Sequence, residues 1–404
     1  MPLFAGLPDY SRRSLAWHVP AVVLDGLVQG VAVLFLIVAR KTLLASDAVV
    51  TILTIGPVGV MVFGNVLGVA MLGRSKRAFL VAAGLVGRLP LLLVFFVTDV
   101  RIYAAILVFS FFYYILFKPA ENSIIQANYD KEQRGRIYGW LNSLMLLCAM
   151  AGAWAGGRIL DASHDNYRYL IPAAGVLGFA AMMLYAFLPV RVMDYDAPRA
   201  VAKGVLAAYR NFFESLLKDA PFGRLELSFL IYGFGIIMLD PLLIIFVVDD
   251  LKLDYSAAAV AMGLIGQLAI LALSPFVGRL FDRVRPGAML GASVLLLIAF
   301  PIMLFFAHGT ALLYAAYVVR GVAMSGILMV WNLGPIHYAE ERDSTNYMGV
   351  HLTLTGVRGL FAPLLGMGTY YLLGIRGAFL VSAAIFVVAG VMSLAFARME
   401  GTAG

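Results

Sequence analysis

Apolar residues run through this chain in blocks of about 20 to 28, the length a helix needs to cross a hydrocarbon core of ~30 Å. No soluble architecture uses such blocks throughout. A soluble core of this size is built from shorter, amphipathic elements. The charge content points the same way: 13% of the 404 residues are charged and 62% hydrophobic, against roughly a quarter charged in soluble domains. Helices are the only reading of the blocks. Open strands cannot satisfy their backbone in lipid, and the ~10-residue alternating segments of a membrane barrel are absent.

Twelve spans are expected, over about 17–39, 47–72, 77–98, 102–128, 137–160, 167–190, 224–249, 255–280, 287–307, 309–338, 345–373 and 376–397. The first follows a short polar start with Arg12 and Arg13. It is too long for a signal-peptide core, so it is expected to remain in the chain. With the N-terminus inside, Lys and Arg divide nineteen cytoplasmic to seven external, with Arg88, Lys118, Arg320 and Arg358 within spans. Both termini are therefore expected in the cytoplasm, of a bacterial-type inner membrane. The formal charge of +7 then reflects topology; no basic-aromatic module suggests nucleic acid as a partner.

Several chemistries lack their residues. Cys148 is the one cysteine and forms no intrachain disulfide. The histidines show no metal-ligand spacing, and no nucleotide-binding loop, dinucleotide fingerprint or Ser-His-Asp arrangement is visible. No enzyme activity, cofactor or metal is expected.

One long polar segment interrupts the spans. "VRVMDYDAPRAVAKGVLAAYRNFFESLLKDAPFGR" (190–224) separates the sixth from the seventh, and within it "AAYRNFFESLLKD" reads as an interfacial amphipathic helix. The expected organisation is a six-helix bundle over 1–190, a cytoplasmic linker over 191–223 and a second six-helix bundle over 224–404. The halves also match at one displacement: Gly68 falls on Gly278, Asn122 on Asn332, Gly139 on Gly349 and Gly156 on Gly366. A constant register across different spans argues for two parallel repeats.

"GRLFDRVRP" (278–286), the degenerate counterpart "GVAMLGRSKR" (68–77), the basic turn "RGRIYG" (134–139), and the pair "GAWAGG" (152–157) and "APLLGM" (362–367) together resemble the major facilitator superfamily. The resemblance covers essentially the whole chain. It implies two pseudo-symmetric bundles of six helices, all-α, working by alternating access, with a cavity lined mainly by the first and fourth spans of each half. Gly278, Asp282 and Arg283 would form the conformational loop motif; Leu72 stands where Asp282 stands in the repeat. "GAWAGG" and "APLLGM" resemble the fifth-span motif of exporters of the drug/metabolite:proton antiporter type. The proline appears only in the second copy, as Pro363, with Ala153 in the first.

Charges inside spans cost at least ~2.5–3.5 kcal/mol on insertion scales, so each should face a partner, a cavity or water. The acids Asp25, Glu121 and Asp240 are candidates for proton coupling, Asp25 first among them because Gln29 follows one turn on in a cavity-lining span. A permanent ion pair of Asp25 with Arg88 is the alternative. Gln29, Arg88, Lys118, Asn122, Arg320, Asn332 and Arg358 are candidates to line a substrate cavity. Asp240 and Arg320 are candidates for a pair that shifts during transport. Lys118 and Glu121, three apart, share a helix face, and Pro119 between them permits a bend. His337 and His351 are placed beside the loop between spans ten and eleven, as hydrogen-bonded structural histidines.

The expectation is a secondary transporter, functional as a monomer, that exports a small organic solute in exchange for protons. Its partners would be that solute, protons and the lipid bilayer. Symport or facilitated uptake of an anionic solute is an alternative, motivated by the four intramembrane bases. A non-transporting sensor or assembly protein with a carrier fold is another.

Overall fold

In lipid each backbone amide must find its partner within its own segment, and the apolar blocks do so as helices. The computed structural model describes residues 7–63, 67, 71, 74–189, 219–339 and 344–402, and contains no strand among them. Ten helices are long and apolar enough to cross a membrane, and a shorter apolar one covers Asp47–Phe63. The last of the ten, Val350–Met399, holds two spans, because Gly374 breaks it with a φ of 71°. A left-handed residue is cheap only for glycine.

Twelve spans result among the described residues. They are α1 (Asp9–Lys41), α2 (Asp47–Gly59, tightening to a 3-10 turn at Val60–Phe63), α3 (Lys76–Phe96) and α4 (Val100–Ser110 and Phe112–Asn128). Next come α5 (Lys131–Ala162), α6 (Tyr167–Phe187), α7 (Ala220–Asp250) and α8 (Tyr255–Phe281). Then follow α9 (Pro286–Phe306), α10 (Thr310–Ala339) and, on either side of Gly374, α11 (344–373) and α12 (375–402). Most of the expected linker, including its amphipathic helix, lies outside the described residues, as do Gly68 and Arg342.

Three irregularities position charged residues. In α3 a π-helical turn over Ala83–Arg88 passes into a 3-10 stretch over Leu89–Phe96, and Arg88 sits at the join, two residues before Pro90. In α7 the helix interrupts at Met238, just ahead of Asp240 and Pro241. Pro241 has no N–H to return to Ile237, so the ladder must open there. In α4 the break falls at Phe111, while Pro119 lies inside the continuous helix Phe112–Asn128. The bend expected at Pro119 is thus displaced. Its local cause is Ser110, whose Oγ donates to the carbonyl of Leu107 at 2.7 Å, the oxygen that also accepts from the Phe111 amide. Such back-bonding bends helices.

Packing divides the chain into two compact units, one of Met1–Leu44 with Val66–Lys203 and one of Ala45–Asn65 with Gly204–Gly404. The sequence halves would put 45–65 with the first; its helix α2 instead packs on α11. Gly356 and Gly359 of α11 leave room there for Val62 and Val58 of α2. Within each unit the same partnership recurs: α1 packs on α5, and α7 on the α11–α12 segment. Apolar side chains gain little by leaving lipid for each other, so close backbone approach carries these seams. A Cβ on Gly152 would fall on the carbonyl of Leu27, and one on Gly366 on the carbonyl of Met238. The fifth-span motif is therefore a close-packing seam in both copies.

Candidate functional site

In the first unit the charges are paired. Asp25 of α1 is fully buried and Arg88 of α3 is 3% exposed. Arg88 Nη2 donates to Asp25 Oδ1 at 2.7 Å, and Gln29 Nε2 donates to Asp25 Oδ2 at 2.7 Å. The guanidinium lies 3.7 Å from the centre of the Tyr113 ring, and Gly178 leaves space for its side chain. One helical turn brings Gln29 to Asp25, while Arg88 arrives from a distorted helix in another span. On α4, Lys118 Nζ donates to Glu121 Oε2 at 2.6 Å, with side chains 33% and 9% exposed. The spacing of three expected for that pair holds. Asn122 is exposed on the same helix.

A second polar group ties chain segments at helix ends of this unit. Ser11 Oγ donates to the carbonyl of Asn128 at 2.9 Å, and Asn128 Nδ2 to that of Pro189 at 2.7 Å. Buried His18 stands 3.0 Å from the Tyr129 hydroxyl, with Tyr185 edge-on to its ring. These contacts fix chain ends against one another and need no solute.

In the second unit Arg358 of α11 is also committed. Its Nη1 donates to the carbonyl of Phe229, and its Nη2 to Thr355 Oγ1 at 2.9 Å. Gly233 of α7 makes the space that its side chain occupies. Two turns away, His351 Nδ1 lies 2.8 Å from Glu226 Oε1 and 3.1 Å from Oε2. Both residues are buried, at 0% and 1% exposure, and His351 Nε2 has no hydrogen-bond partner among the described residues. The rings of Phe229 and Trp331 stand edge-on to the imidazole at 4.9 and 5.1 Å.

Asp240 and Arg320 form the other cluster. They are within electrostatic reach of each other, yet neither forms a side-chain hydrogen bond among the described residues. The Arg320 guanidinium lies 5.6 Å from the centres of the Phe300 and Tyr317 rings. Arg320 Nε and the Tyr317 hydroxyl are both buried without a partner. Asn332, on the same helix as Arg320, is exposed, and its amide returns to the carbonyl of Leu328 at 2.7 Å. Asp282 and Arg283 are exposed after Gly278 at the end of α8, with no side-chain hydrogen bond among the described residues.

Two readings of the sequence change here. The count of intramembrane acids omits Glu226, although it lies within the expected span 224–249; it is 1% exposed on α7. His351, which the expected span 345–373 already contains, is not at the rim of the loop: it is fully buried on α11. The signal available was an ionisable residue in each of two apolar blocks. Their partnership spans 125 positions, and no local pattern reports it. His337 remains near the end of α10, exposed against Tyr338.

Twelve apolar helices in two packed units, with opposite charges gathered inside each, define a multi-pass membrane carrier. The chain belongs to the Major Facilitator Superfamily, whose sequence profile matches residues 19–357 and again 225–403. It is a transporter of small-molecule solutes, and not an enzyme. Solved structures share the fold over nearly the whole length. A nucleoside transporter, NupG, aligns with a TM-score of 0.70 at 14% identity, over 96% of this chain and 99% of that one. A bacterial homologue of the human lysosomal transporter Spinster, in an inward-facing and unoccupied conformation, gives 0.68 at 13% identity, over 97% and 98%. A structure on substrate recognition in proton dependent oligopeptide transporters gives 0.70 at 12%, over 96% and 97%. No curated protein matches the chain.

Proposed function

We propose that this carrier works by alternating access and couples export of a small organic solute to proton entry, with both termini in the cytoplasm of a bacterial-type inner membrane. The observation that carries the coupling is the buried Glu226–His351 pair. An arginine stays charged at any working pH. Protonating Asp25 would therefore strand the Arg88 guanidinium in a buried site, which is strongly unfavourable. Glu226 has a different partner. An imidazole whose Nδ1–H faces the carboxylate keeps that hydrogen bond whether or not Nε2 carries a second proton. The pair thus alternates between a net charge of −1 and 0 without leaving a cation unpaired. The groups around it are Arg358 on α11, whose charge reaches both Glu226 and Tyr232, and the Trp331 ring on α10. Tyr347, bonded to Asp219, lies at the helix ends.

The test is a pH-dye assay in energised inside-out vesicles, challenged with cationic, neutral and anionic compounds. Wild type should dissipate the proton gradient with at least one of them. His351→Gln and Glu226→Gln should lose that response while retaining solute exchange at equal pH. Proton-driven transport that survives both changes defeats this assignment.

Anion uptake without proton coupling is the second reading, and it needs a guanidinium free to meet the solute. Arg88, Lys118 and Arg358 are hydrogen-bonded within the protein. Arg320 alone among the four intramembrane bases makes no hydrogen bond among the described residues.

A further inference from the structure

The two units treat the same chemistry in opposite ways. In the first, an acid and a guanidinium meet at 2.7 Å, and Gln29 takes the second carboxylate oxygen. That pair is closed at both carboxylate oxygens by the protein itself, although Arg88 Nε, like Arg320 Nε, is buried without a partner. In the second, Asp240 and Arg320 sense each other's charge but form no hydrogen bond. The Tyr317 hydroxyl beside them is buried with its own capacity unused. Tyr232, which feels both charges, spends its hydroxyl on the weak acceptor Met324 Sδ at 3.4 Å. Buried polar groups are nearly always hydrogen-bonded, which the Tyr317 hydroxyl is not; Asp240 and Arg320 are half-buried, so their charges are unpaired with each other yet not sealed off. A sequence that needed only a structural pair here could close it, as the first unit does.

We propose that Asp240, Arg320 and Tyr317 form the solute-recognition site of the second unit, and that it takes a small zwitterion. The acidic group of such a solute would accept from the Arg320 guanidinium and the Tyr317 hydroxyl. Its ammonium would donate to Asp240. One molecule then supplies both missing partners, with no net charge carried into the interior. An anion or a cation alone would satisfy one residue and leave the other unmet. The aromatic rings of Phe300 and Tyr317 flank the guanidinium and limit where it can turn. The break at Met238, ahead of Pro241, frees the Asp240 segment from a straight helix. This inference rests on the carrier reading above.

The experiment uses the full chain purified in mild detergent and titrated calorimetrically with short ω-amino acids. Carboxylic acids and amines of the same length, and the neutral nucleoside uridine, are the comparison ligands. At least one amino acid should bind, and its acid-only and amine-only counterparts should bind about 10- to 100-fold more weakly, the worth of one charge-assisted hydrogen bond. Arg320→Gln should bring the amino acid down to the level of the amine, and Asp240→Asn down to the level of the acid. Arg320→Lys, which keeps the charge, should retain most of the preference and serves as the folding control.

The site assignment falls if acid or amine binds as well as the amino acid, if both neutral variants leave binding unchanged, or if no amino acid binds wild type. Failure of the coupling reading looks different. A bound zwitterion whose exchange in vesicles is indifferent to a proton gradient would refute proton coupling and leave this site standing.

Discussion

Asp25→Asn is the perturbation that separates a structural charge from a working one. The carboxylate is fully buried, the Arg88 side chain is 4% exposed, and their atoms meet at 2.7 Å. Removing the negative charge strands the guanidinium, at a cost of roughly 3–5 kcal/mol for a broken buried pair. An asparagine can still accept from Gln29 or Arg88, and the Tyr113 face still covers the cation, so the lower end of that range is expected. For a unit of this size about 3 kcal/mol corresponds to a fall of roughly 6–12 °C in unfolding midpoint. The assay is intrinsic tryptophan fluorescence of the purified protein in detergent during heating. Asp25→Asn and Arg88→Met should each lower the midpoint, and the double variant should recover most of the loss, because no unpaired charge remains. The reasoning is refuted if Asp25→Asn melts with wild type yet abolishes proton-driven transport. The carboxylate would then take up a proton in place, and Asp25 would be the coupling residue.

Other expectations follow from the same geometry. Asp240→Asn breaks no hydrogen bond among the described residues and should melt within a few degrees of wild type, in contrast to Asp25→Asn in the same heating assay. Glu121→Gln leaves a lysine one-third exposed, which can turn toward water, whereas Arg88 cannot; its midpoint should therefore fall less than that of Asp25→Asn. Gly30→Leu places a side chain against the Ala149 carbonyl and should prevent α1 from seating on α5. Loss of the monodisperse peak in size-exclusion chromatography would report it, with Gly139→Ala, at a position open to space within 4 Å, as the neutral control.

The sequence by itself determined the solvent, and with it the fold class. Apolar blocks of bilayer length leave helices as the only way to satisfy the backbone, so twelve spans could be counted before any packing was known. It also marked the residues that matter, because a charge in such a block is expensive wherever it points. Local pairing was legible too: Lys118 and Glu121 lie one turn apart, as do Asp25 and Gln29, and helix geometry alone brings them together.

What the sequence could not decide is which distant charges meet. Asp25 and Arg88 are 63 positions apart, and Glu226 and His351 are 125 apart. Their encounters depend on helix rotation and on distortions such as the π turn in α3, which apolar periodicity does not encode. Lipid accepts any apolar face, so pattern sets no rotation. Tertiary packing through small residues does, and it alone determined that Arg88 and Arg358 are committed, that Arg320 is not, and that α2 packs with the second unit.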